Sequence, residues 1–347
     1  MTTCNKQLTT LTILTTLLLI GCDNQSATMQ DDQEIEQPQI LAEETTQNIY
    51  ILFTLNTQEF MEPEMSLETL ENVMELHEKY DIPLDIYFAD FLTQKFAEDY
   101  QYIFETLKSD DMWAVSYHVR APLPYAGSSK VTYDWDLYSP DELRSLFMQY
   151  ETYTMDWVLG ELTDQPGGYG FLKELIGYAP LGAGISDSND IVEDTLVDIY
   201  TKMGATFAVQ HIDGFGSSDI DYGEYNGELL IRPEHQEIRL FELSSAEAID
   251  TIEDFISKNY SEGGKDLFIN IKMHDKDFFA TDSAWSLIYS RQTPPYDLSV
   301  YEKAVEFLTN SEREAVLSKY EAVLEFIAED SRFTAVNLLD VSQMSPL

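Results

Sequence analysis

Asn48-Ile49-Tyr50-Ile51-Leu52-Phe53-Thr54 is a largely apolar run, so both faces of the strand it forms need cover. Such a run marks a central strand of a parallel sheet, packed between helices. The chain then alternates strand and helix signals. Ser66 caps a helix that carries Leu67, Leu70, Val73, Met74, His77 and Tyr80 on one stripe, and residues 83–88 form a second strand. A helix over about 92–107 leads into Trp113-Ala114-Val115-Ser116-Tyr117, a third strand that ends at His118. Ser139-Pro140-Asp141-Glu142 is a capping box with proline at the first helical position, opening a long helix through Leu143, Leu146, Phe147, Tyr150 and Trp157. Gly167-Gly168-Tyr169-Gly170 reads as a loop or hinge. Further on, 181–186 reads as a short strand, a helix over 192–203 feeds a strand at 206–210 before His211, and 228–231 pairs with 238–241 as a hairpin. A helix at 246–257 precedes the buried strand 267–271, which runs out at Met273-His274-Asp275; helices at 300–308 and 312–328 lead to a last strand at 334–338. About seven strand-then-helix units in roughly 300 residues favour a closed or nearly closed (β/α) barrel over an open doubly wound sheet. No glycine-rich dinucleotide or phosphate loop follows any strand.

The first 21 residues do not belong to this pattern. Lys6 is their only charge, an apolar stretch runs from Leu8 to Leu17-Leu18-Leu19-Ile20, and the segment closes on Gly21-Cys22. It is too short for a membrane span. Leu19-Ile20-Gly21-Cys22 resembles the lipobox of bacterial lipoproteins, which implies cleavage before Cys22 and lipidation of that residue. The implied product is lipid-anchored in the cell envelope, facing the periplasm or the exterior, with the membrane as a partner through its N-terminal lipid. Residues 1–21 then form a signal peptide, 22–47 an acidic flexible tether too poor in apolar residues to fold, and 48–347 the barrel domain. A tether of about 25 residues reaches roughly 25–30 Å. The only other cysteine, Cys4, lies in the removed segment, so the mature chain has neither a disulfide nor a multi-cysteine zinc site.

Charge narrows the partners. With 63 acidic against 20 basic residues, the formal net charge is −43, a surface that repels nucleic acid. Carboxylates at this density are tolerable where salt screens them, which points to a saline milieu. Asp219, Asp221, Glu224 and Glu228 form a dense loop cluster, but their order is not that of an EF-hand loop, and a solvated loop is expected.

Three of the five histidines, His118, His211 and His274, fall at or just past the carboxyl ends of predicted strands, where parallel α/β folds build their active sites. Asn56 and Glu59 follow the first strand, Asp90 the second, and Asp213 and Asp275 stand beside two of the histidines. Imidazoles and carboxylates converging there can bind a divalent metal or share proton transfers. Each histidine can equally cap a strand or meet a backbone carbonyl. Arg120 beside His118 suits a carboxylate or sulfate on a substrate, or a salt bridge to one of the surplus acids. His77, on an apolar helical stripe, is expected to be structural, and His235 to lie at the surface.

The order of elements, the first strand through Asn56, the His118 strand end and Ile271-Lys272-Met273-His274-Asp275 resemble the polysaccharide deacetylase superfamily. That resemblance implies an α/β fold, a distorted (β/α)7-type barrel with parallel strands. It also implies a glycan partner, a divalent metal with zinc foremost, and a final motif whose histidine acts as general acid. The family's aspartate pair falls here on Asn56 and Thr57, and the position four after His118, where the family has a second metal histidine, is Pro122. The expectation is a membrane-anchored carbohydrate-active hydrolase. His118 and His211 are its metal ligands, His274 its general acid oriented by Asp275, Glu59 or Asp90 its substitute base, and Arg120 and Asn56 its substrate contacts. A catalytically silent glycan-binding or envelope-scaffold lipoprotein is the alternative, and a metal-free glycoside hydrolase with carboxylates about 5–9.5 Å apart a further one.

Overall fold

The computed structural model describes residues 47–119, 122–124, 134–185, 190–210 and 225–344. Its strands are β1 (Ile49–Thr57), β2 (Leu84–Ala89), β3 (Trp113–His118), β4 (Tyr153–Met155), β5 (Leu162–Pro166), β6 (Gly182–Ile185), β7 (Phe207–Gln210), β8 (Tyr225–Asn226), β9 (Leu229–Ile231), β10 (Gln236–Arg239), β11 (Leu267–His274) and β12 (Phe333–Ala335). The helices are α1 (Pro63–Tyr80), α2 (Asp90–Asp99), α3 (Tyr102–Leu107), α4 (Pro140–Tyr150), α5 (Gly168–Ile176), α6 (Asp190–Met203), α7 (Ser245–Asn259), α8 (Ser299–Ala304), α9 (Asn310–Glu329) and α10 (Leu338–Gln343).

Eight strands run parallel in the order β10-β11-β1-β2-β3-β6-β7-β9, with β8 antiparallel on the far edge and β12 beside the start of β1. This is the expected α/β barrel with parallel strands, curled but not closed by a ladder. The two ends of the sheet, β9 and β10, are joined by only four residues, Arg232-Pro233-Glu234-His235. The Arg232 N–H still donates to Ala208 O and the His235 N–H to Phe268 O. Such a link spans no more than about 14 Å. The anticipated hairpin of these two strands is absent: β9 pairs in parallel with β7 and β10 with β11.

Side-chain alternation sorts the strands into two layers. Ile49, Ile51, Phe53 and Leu55 of β1, Ile86 and Phe88 of β2, and Ile269, Ile271 and Met273 of β11 point outward into the main core under the helices. The opposite set points inward. Leu52, Ala114, Phe207 and Phe268 form a smaller interior core with Val336, Leu338 and Val341, so α10 plugs one end of the barrel. Asn337 caps that helix by accepting from the Leu339 and Asp340 N–H groups.

Local chemistry corrects several boundaries. α1 starts at Pro63 rather than after Ser66, because proline lacks the N–H that the first helical position leaves unpaired; Ser66 lies one turn in. The expected helix over 92–107 is two helices, interrupted at Tyr100 and Gln101. α4 ends at Tyr150, and Trp157 lies past it, packed on Phe60 and Phe91. The glycine cluster opens α5: Gly168 has φ +60°, and a Cβ there would lie 2.7 Å from the Glu151 Cα.

Candidate functional site

At the carboxyl ends of the strands the inward positions turn polar. Thr54 and Asn56 of β1, Tyr87 of β2, His118 of β3, Gly184 of β6, Val209 of β7, Arg232 and Lys272 of β11 line, with Tyr117, a pocket of ≈ 250 Å³ that includes open solvent. His274 is the register partner of Asn56, and His118 that of Ala89. Ala89 borders a second, apolar pocket, lined by Phe60, Phe91, Leu123, Met155 and Trp285 along with Gln58, Asp90 and Pro122.

The polar layer is internally braced. The Thr54 hydroxyl donates to Asn270 Oδ1 (2.8 Å), and Asn270 Nδ2 donates to Glu234 Oε2 (2.8 Å). Glu234 also pairs with Arg232, whose Nη1 reaches the Tyr87 hydroxyl at 3.3 Å. Lys272 pairs with Glu237 at 3.4 Å. Burial works against the charge on Arg232, but Glu234, Tyr87 and Glu237 outweigh it and hold the guanidinium charged. Burial likewise pushes the Tyr87 phenol up to about 12, so it stays a neutral hydroxyl. Asn56 is 2% exposed, and its Nδ2 meets no acceptor among the described residues.

His274 is held by Asp277, not by Asp275. Asp277 Oδ2 accepts from the His274 backbone N–H (2.9 Å) and lies 3.0 Å from Nδ1, while Lys276 braces Oδ1 at 2.6 Å. Burial raises the Asp277 carboxyl, yet His274 and Lys276 more than offset it and keep it below the usual carboxylate range. Asp275 turns the other way. Its Oδ2 accepts from the Gln58 and Glu59 N–H groups and from the Ser66 hydroxyl, each at 2.9 Å, and its Oδ1 from Lys276 N (2.8 Å). That makes it the clamp of the turn after β1.

The two expected bases are also engaged. Glu59 accepts from Ala284 N at 2.7 Å and from Met61 N at 3.3 Å, and burial pushes its carboxyl up to about 8. A carboxyl that keeps its proton at neutral pH is no base there. Asp90 accepts from Thr154 Oγ1 and Gly168 N, both at 2.7 Å, and from Gln94 at 3.2 Å; burial raises its carboxyl against these bonds. It borders the apolar pocket rather than the polar one. Of the expected site residues, Asn56 and His118 line one pocket and His274 is the register partner of Asn56, whereas Glu59, Asp275 and Asp90 are held by hydrogen bonds in the surrounding turns. Arg120, His211 and Cys22 lie outside the described residues, as does most of the acidic loop cluster.

The remaining histidines are structural. His77 is buried between Ile82 O (2.8 Å, Nδ1) and the Tyr320 hydroxyl (2.7 Å, Nε2). His235 was expected at the surface but is buried at the opposite end of β11 from His274, where its Nδ1 accepts from Phe268 N at 3.0 Å. The sequence reading missed Arg232, Lys272, Tyr87 and Asp277. A signal existed: Asn270, Lys272 and His274 recur at every second position of an otherwise apolar strand, all on one face.

Among the described residues, which do not include His211, the divalent metal implied by the resemblance finds no fitting donor set. Among the described residues no three His, Cys, Asp or Glu side chains come together, Asn56 presents an amide donor, and Arg232 and Lys272 already bring positive charge into the layer.

No family model matches the chain, and no curated protein does. Among solved structures it is similar to Puue allantoinase, at 13% identity and TM-score 0.50, over 85% of this chain and 89% of that one. It also matches a Mycobacterium smegmatis protein assigned as a polysaccharide deacetylase (10% identity, TM-score 0.44, 86% and 90% covered). A third match is a 4-alpha-glucanotransferase from Thermococcus litoralis (13%, 0.44, 87% of this chain and 41% of that one). The allantoinase match speaks to the fold alone: this chain shares that barrel architecture.

Proposed function

We propose that this barrel takes a glycan at the carboxyl ends of its strands and acts on it as a hydrolase, with His274 as proton donor. The observation that carries the reading is the His274–Asp277 pair, His274 being the register partner of Asn56, which lines a pocket together with His118. A carboxylate that fixes Nδ1 sets the tautomer and orientation of a ring that can hand a proton to a leaving group. We also propose that the chain is anchored to a membrane through Cys22; the support is the sequence Leu19-Ile20-Gly21-Cys22 alone. Fatty-acid labelling checks the anchor: Cys22→Ala should lose both label and membrane association, and a labelled variant would sink it.

Activity is checked with a panel of acetylated and otherwise substituted glycans. His274→Ala should lower turnover by about 10²- to 10⁴-fold with the fold intact. A second reading, binding without hydrolysis, draws on Asn56 and Thr57 standing where the resembled family has carboxylates, with Glu59 and Asp90 both engaged. A domain that binds a glycan with an affinity indifferent to His274, and turns over none of the panel, supports that second reading and rejects the first.

A further inference from the structure

We propose that Lys276 is the positioning residue of the His274 proton donor: its ammonium touches both the carboxylate paired with the imidazole and the aromatic ring packed against it, and so sets how readily His274 releases its proton. This deepens the proton-donor reading above and rests on it. Lys276 stands two residues past the end of β11, in the short turn Asp275–Phe278. Its Nζ lies 2.6 Å from Asp277 Oδ1, while Oδ2 of the same carboxylate takes the His274 backbone N–H and lies 3.0 Å from Nδ1. The same ammonium is 5.7 Å from the centre of the Phe241 ring, within cation–π reach. That ring meets the His274 imidazole edge to face, at 5.2 Å between centres and 63° between planes. Water screens these contacts little, because the side chains of Lys276, His274 and Asp277 are only 18%, 14% and 3% exposed.

The charges act in one direction. Beside Asp277 alone, an imidazolium would have a whole carboxylate charge to itself; with Lys276 on the other oxygen that charge serves two cations, and the proton on His274 is held less firmly. A proton held less firmly passes more readily to a leaving group. The other elements around the turn do not take over this task. Lys319 of α9 also feels Asp277, but its Nζ donates to Leu240 O at 2.9 Å and so pins the segment that presents Phe241. Asp275 is spent on the clamp after β1, Glu242 beside Phe241 is exposed, and Asn56, the β1 register partner of His274, is uncharged. The turn itself is bonded through the Lys276 backbone, whose carbonyl accepts from Phe279 N and Ala280 N, so the side chain can change with the turn intact.

Proton NMR on the full chain tests this without any substrate. Of the five histidine signals, the one that His274→Ala removes is followed against pH. In Lys276→Met its titration midpoint should rise by about half a pH unit or more, because a neighbouring cation disfavours the charged imidazole. Lys276→Arg keeps the charge and should leave the midpoint near the wild-type value. On the glycan panel, Lys276→Met should lower the maximal kcat, leave KM in place and move the alkaline limb of the kcat profile upward with the NMR midpoint; Lys276→Arg should restore all three. Should Lys276→Met fail to fold, Lys276→Gln removes the charge and is read the same way. A midpoint that stays put when the charge is removed, or that moves as far in Lys276→Arg, overturns the role of Lys276 and leaves the hydrolase reading standing. A midpoint that shifts as stated in a chain that turns over no glycan keeps the coupling and overturns the proton-donor reading.

Discussion

At neutral pH Glu59 keeps its proton in the folded chain, because burial moves its carboxyl from 4.5 to about 8. Between those values the folded state binds more protons than the unfolded one, so stability falls as pH rises. Asp85 (raised to about 7) and Asp275 (to about 6) act in the same direction over lower windows. His77 opposes them: burial lowers its imidazole from 6.5 to about 4, so its contribution rises with pH through that interval. Above pH 7 Glu59 is still titrating and Asp85 is completing its titration, so both lower stability as pH rises. The urea midpoint should therefore fall between pH 7 and 8, and Glu59→Gln should make that fall shallower. An unchanged slope in the variant would refute the assignment. Asp275 and Asp277 should part company in the same spirit. Asp275→Asn should mainly destabilise, since its carboxylate takes four donors, whereas Asp277→Asn should lower turnover with little loss of stability. A sequence string could place both acids near His274 but not divide their roles. The turn that brings Asp277 back three residues, and the chain after β1 that consumes Asp275, are tertiary facts.

Elements were legible where one signal dominated. The apolar runs of β1, β2, β3 and β11 and the capping box of α4 follow from local composition. Pairing did not. Residues 228–231 and 238–241 carry the alternation of a hairpin, yet β9 and β10 each find a parallel neighbour because the barrel offers two open edges at that point. The last strand likewise gives way to α10, whose Asn337 cap is buried and also donates to Asp111 O (2.9 Å) and Met112 O (3.2 Å). Burial decides how much a cap is worth. Asn337→Ala removes the capping acceptor and the amide donor to Asp111 O, while Met112 O keeps the Leu84 N–H, and should cost about 2–4 kcal/mol. Ser139→Ala, at the exposed capping box of α4, should cost about 1 kcal/mol. Chemical denaturation of both variants compares them directly, and equal losses would mean that α10 does not plug the barrel.

For the molecule as a whole, the parallel α/β barrel type was readable from the sequence, though about seven units were expected where eight parallel strands stand, and the polarity of the interior was not readable, because strands covered on both faces hide which side carries Thr54, Asn56 and Lys272. Net charge was readable, and it sets a test with two signs. Salt screens repulsion among like charges and also weakens surface ion pairs, each worth only about 0–1 kcal/mol. With a net charge of −43, most carboxylates have no cation to lose, so relief of repulsion should win. Raising sodium chloride from about 0.05 to about 1 M, where the screening length shrinks to about 3 Å, should raise the urea midpoint. A midpoint that falls or stays flat would show that the surplus carboxylates are already neutralised by other means.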